Sequence, residues 1–101
     1  PDLPADVVVE VNAIIRASGP QPISWGTFED GARGQLQLMK AMELTTIEAA
    51  VTGNYGKALQ AFTINPLVPS GTVAKTILDE MLVAHKEHLP QFADKIKELE
   101  A

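Results

Sequence analysis

The chain has 101 residues, with 8 Lys plus Arg against 13 Asp plus Glu, a formal net charge of −5. That length allows one domain or a piece of one, burying roughly 65% of its unfolded surface on folding, and 46% hydrophobic residues can fill the core. The acidic balance argues against nucleic acid as a partner, the lack of cysteine removes disulfides and thiolate metal sites, and no apolar run approaches the ~20 residues of a membrane span. No charged segment followed by an apolar stretch suggests a signal peptide. The first residue is Pro1 rather than Met, as expected of a piece cut from something longer.

The segment up to about residue 28 holds Pro1, Pro4, Pro20 and Pro22, and β-branched residues cluster there. Val7, Val9 and Val11 share one face at period two, with Glu10 and Asn12 on the other, so a strand is expected over 7–11. Ile14 and Ile15 can extend it. Ser18-Gly19-Pro20 is turn chemistry. Ile23-Ser24-Trp25 then returns as a second strand. A lone hairpin is marginal in water and calls for a third strand or a helix behind it.

From about Phe28 to Val51 the pattern is helical. Thr27 or Glu29-Asp30 can start the helix, because acidic groups suit its positive end. Leu36, Met39, Ile47 and Ala50 form one stripe, and Leu38, Met42 and Ala49 a second. Leu44 and Val51 widen the first. A helix apolar nearly all round should be packed on several sides. Gly53 is a natural terminator. A short helix is expected over 55–64, with Tyr55, Leu59 and Phe62 on one row and Asn65-Pro66 as its stop. Ser70 looks like the N-cap of a third helix reaching about His88. Val73, Ile77, Met81 and Ala84 form its seam, with Ala74, Leu78 and Leu82 beside it. Pro90 suits the first position of a last helix, on which Leu89, Phe92, Ile96 and Leu99 line up. Asp94, Lys95, Lys97 and Glu98 cover its other face. The fold class expected is α+β: about four helices with an N-terminal β-hairpin, the hairpin in 1–27 and the helices in 28–101.

Few residues invite chemistry. There is no GxGxxG after a strand, no Walker A pattern and no GxSxG elbow. His85 and His88 are three apart on the expected helix, on nearly one face, which a metal could use. The third and fourth ligands zinc expects are not evident, so two solvated histidines near a helix end are the plainer reading. Glu43 projects into the Leu36–Met39–Ile47–Ala50 stripe. A carboxylate there is either an acid in a cleft or a structural carboxylate paired to Lys40, three residues earlier. The pair is the plainer reading. Trp25 is expected to pack on the hairpin or a helix. Met39, Met42 and Met81 fit core stripes as gap fillers.

Four ordered stretches resemble one family. Asp2-Leu3-Pro4-Ala5-Asp6-Val7-Val8-Val9-Glu10-Val11 is similar to a segment of the family 4 glycoside hydrolases. So is Leu44-Thr45-Thr46-Ile47-Glu48-Ala49-Ala50-Val51-Thr52-Gly53-Asn54, with one extra Thr and with Asn54 where that family has Asp. Pro66-Leu67-Val68-Pro69-Ser70, followed by Ala74-Lys75 and Leu78-Asp79-Glu80-Met81-Leu82, matches a third. There Asn65 stands for the usual His before Pro66. Ala84-His85-Lys86 and Leu89-Pro90-Gln91-Phe92 match the close. The last two look most like the 6-phospho-β-glucosidases of that family.

The resemblance implies an enzyme that uses NAD and a divalent metal, usually manganese, to cleave phosphorylated disaccharides. In such enzymes the sugar is oxidised, the glycosidic oxygen eliminated, water added and the ketone reduced again. It also implies that residues 1–101 are a single non-catalytic fragment of the C-terminal domain. That domain would resemble those of lactate and malate dehydrogenases, with the N-terminal Rossmann domain absent here. No catalytic, cofactor-binding or metal-binding residue can be assigned on this chain. Tyr55 is the lone tyrosine and lies outside the motif that carries the family's base. The expected roles are to wall the substrate cleft and to support subunit contacts in a cytoplasmic homo-oligomer, with neither nucleic acid nor membrane as partner. Alone, the piece should expose apolar surface and dimerise or swap elements. Two other readings are a stand-alone helical interaction module and, more remotely, a metal-dependent hydrolase built on His85, His88 and Glu43.

Overall fold

The computed structural model describes residues 2–101. Its elements run β1 (Ala13–Arg16), β2 (Gly19–Pro22), α1 (Asp30–Thr52), α2 (Tyr55–Ile64), α3 (Gly71–Ala84) and α4 (Ala93–Glu100), with 3-10 turns at Lys86–His88 and Pro90–Phe92. Four helices and an N-terminal antiparallel hairpin make an α+β fold. The chain divides into two compact units, one up to Gln37 and the other from Leu38 to Ala101.

In the first unit the hairpin lies further along the chain than the valine alternation predicts. Residues 7–11 form no strand. The physical reason is pairing. Alternation names a half-buried face, but a strand also needs a partner at the right distance, and the turn fixes that distance. Here the turn is Ala17-Ser18, closed by Gly19 at φ +107°, a backbone region that favours glycine. It pairs Arg16 with Gly19, Ile15 with Pro20, Ile14 with Gln21 and Ala13 with Pro22. The Ile23 N–H donates to the Asn12 carbonyl at 2.9 Å and adds one further rung. The expected return strand over 23–25 thus contributes only Ile23.

Asp2 ties this unit together. Its carboxylate accepts the Phe28 N–H at 2.7 Å, and its carbonyl accepts Gln37 Nε2 at 2.8 Å. Glu29 starts α1: its carboxylate accepts the Ala32 N–H at 2.6 Å and the Gly31 N–H at 3.2 Å. Two of the helix's orphan donors are satisfied in this way, with negative charge at the positive end.

In the second unit each helix end follows from local chemistry. Gly53 ends α1 at φ +69°. The Asn54 side chain accepts the Lys57 N–H at 3.0 Å and starts α2. Asn65, extended before Pro66, stops it. Ser70 Oγ accepts the Val73 N–H at 3.2 Å and starts α3. α3 ends at Ala84, four residues short of the expected His88. His85 leaves the helical region at φ −109°, ψ 19°, and the chain tightens into a 3-10 turn. Pro90 likewise opens a 3-10 turn, and α4 proper begins at Ala93.

The core of this unit is Ala49, Ala58, Leu78, Leu82, Phe92 and Ile96, with Tyr55, Leu59, Phe62, Leu89 and Leu99 packed around it. The Leu89–Phe92–Ile96–Leu99 row faces inward as its spacing predicts. On α3 the two candidate rows exchange roles. Ala74, Leu78 and Leu82 are buried at 0%, 4% and 3% exposure, whereas Val73 and Met81 stand 37% and 45% exposed. Two adjacent rows at spacing four are indistinguishable by periodicity, and packing against α2 and α4 selects one. On α1 only Ala49 is buried, while Ile47 and Val51 are 59% and 77% exposed. The all-round packing expected of α1 is not supplied by the described residues, and the expected apolar surface is on view.

Candidate functional site

Two features of the second unit are candidates for a site. The first is a groove of about 290 Å³. Its lining includes the small residues Ala49, Ala58 and Ala61, the larger Phe62 and Met81, and His85 at the end of α3. The alanines leave the space open because the helices carry no bulk there. Such a groove takes apolar surface, and no acid–base pair converges on it.

The second is a polar cluster joining α2, α3 and α4. Tyr55 Oη donates to Asp79 Oδ1 at 2.6 Å. Lys75, one turn before Asp79 on α3, donates to the other carboxylate oxygen. Lys95 Nζ, on α4, sits 4.8 Å from the Tyr55 ring centre, over its face. Burial, and then the hydrogen bond to Asp79, push the Tyr55 hydroxyl above its ordinary value. At Asp79 burial works against ionisation, but the hydrogen bonds from Lys75 and Tyr55 outweigh it and hold the carboxyl low. The bond to Asp79 holds Lys75 high. Every group is thus fixed in its ordinary charge state at neutral pH. A hydroxyl that donates to a carboxylate on the next helix clamps α2 to α3.

The residues singled out in the sequence are scattered. Glu43 meets Lys40 at 2.8 Å and 3.1 Å through its two oxygens. Its side chain is 41% exposed, and Lys40 is the more buried partner at 14%. It is therefore a paired structural carboxylate. His85 and His88 do not share a helix face, because α3 ends between them, and both are exposed. Among the described residues no three His, Asp or Glu side chains cluster to hold a metal. Trp25, expected to pack, is 73% exposed beside Glu10, Val11, Asn12 and Phe28. It follows β2 in an irregular segment between the hairpin and α1. Sequence reasoning missed the Tyr55–Asp79 pair. The Lys75–Asp79 spacing of four was visible, but no local pattern links a tyrosine at one helix start to an aspartate on the next.

There is no cysteine, no glycine-rich loop follows a strand, and the described residues offer no cluster of ligands. The fold is an α+β module of capped helices with an N-terminal hairpin. The C-terminal domain of the family 4 glycosyl hydrolases matches residues 1–68, and the chain belongs to that family.

A probable 6-phospho-beta-glucosidase of Bacillus subtilis is 56% identical over 95 residues, 94% of this chain and 22% of that protein. A 6-phospho-beta-glucosidase of Escherichia coli is 35% identical over 97% of the chain and 22% of its own length. A maltose-6'-phosphate glucosidase of Fusobacterium mortiferum is 37% identical over 82% of the chain and 19% of its own length. The crystal structure of a 6-phospho-alpha-glucosidase from gut microorganisms, in complex with NAD and glucose-6-phosphate, superposes with a TM-score of 0.68 at 38% identity. That match covers 72% of this chain and 17% of the other. The chain thus spans about a fifth of the length of the curated relatives it matches.

Proposed function

We propose that residues 1–101 are part of the C-terminal domain of an NAD- and manganese-dependent 6-phospho-β-glucosidase. Such an enzyme hydrolyses phosphorylated disaccharides by oxidation, elimination, addition and reduction. The observation that carries the reading is the 56% identity to the Bacillus subtilis protein across 94% of the chain. NAD and glucose-6-phosphate are named with the similar 6-phospho-alpha-glucosidase structure. In this reading NAD and manganese sit on the rest of the enzyme, a placement supported by the lack of cysteine here and of a ligand cluster among the described residues. The chain's part is to shape the substrate cleft and to support contacts between subunits. A cytoplasmic location belongs to the same proposal, because NAD and sugar phosphates are charged and stay within the compartment that makes them.

A chimera tests the reading. The matching stretch of the Bacillus subtilis protein is replaced by residues 1–101, and hydrolysis of a chromogenic 6-phospho-β-glucoside is followed with NAD and Mn²⁺. The chimera is expected to turn over, and residues 1–101 alone are expected to be inactive. A folded but inactive chimera, or turnover by the chain alone, overturns the proposal.

A further inference from the structure

We draw no further inference here: the strongest candidate, the apolar groove of about 290 Å³ in the second unit, lined among others by Ala49, Ala58, Ala61, Phe62, Met81 and His85, carries none, because nothing in the structure shows what covers it.

Discussion

Gly53 and Gln91 meet backbone to backbone: a Cβ on Gly53 would lie 2.0 Å from the Gln91 carbonyl oxygen. The Gln91 side chain also donates to the Ala50 carbonyl at 2.9 Å. The end of α1 is thus pinned to the segment before α4. Gly53→Ala incurs both the left-handed backbone at φ +69° and the clash. The expected loss is about 2–4 kcal/mol. A urea melt followed by circular dichroism should show a matching fall in midpoint, and an unchanged midpoint would show the contact to be slack.

Which row of α3 forms the core can be measured directly. Leu78→Ala and Leu82→Ala open cavities among buried neighbours and should each cost about 3 kcal/mol. Val73→Ala, at a position 37% exposed, should cost under about 1 kcal/mol. Equal losses at Val73 and Leu78 would mean that both rows are packed in solution.

The helix bounds were the most legible part of the fold. Gly53, Asn65-Pro66 and Ser70 act through local chemistry that any solvent-exposed helix end shares, so the sequence carried them. The hairpin and its turn beside Ser18-Gly19 are legible as well, but its first strand centres on Ile14 and Ile15 rather than on the valines. Val7, Val9 and Val11 alternate as a strand does, yet position depends on the two-residue turn at Ala17-Ser18, a matter of register. Of the candidate site, the spacing of Lys40 and Glu43 was enough to pair them. Tyr55 and Asp79 are 24 residues apart and meet only because α2 packs on α3. No periodicity could announce that bond.

That bond gives a pH dependence of known sign. Asp79 is held below its ordinary value of 3.8, chiefly by Lys75 and Tyr55 against the opposing effect of burial. Its contribution is therefore whole above the unfolded value and fades as pH falls through the lower folded one. Tyr55 is held above 10.0 by burial and by Asp79. Its contribution is whole below 10 and fades as pH rises through the higher folded value. Tyr55→Phe is expected to lose about 1–2 kcal/mol near neutrality and to flatten the alkaline limb. Asp79→Asn should flatten the acid limb. Thermal melts across pH 2–12, compared between wild type and variants, read both limbs, and parallel curves would remove the clamp.

The caps offer a smaller and cleaner test. Ser70→Ala should cost about 1 kcal/mol and Ser70→Gly only a few tenths. The Asn54 variants should follow the same order. Equal effects of Ala and Gly at Ser70 would show that the hydroxyl is not the source of the stability.

Pro20 and Pro22 have a consequence for how far strand pairing can run. The side of β2 away from β1 is a boundary with no donors at those two positions. Growth in that direction is therefore self-limiting. Two imino acids are enough to keep β2 from templating a further strand along that side.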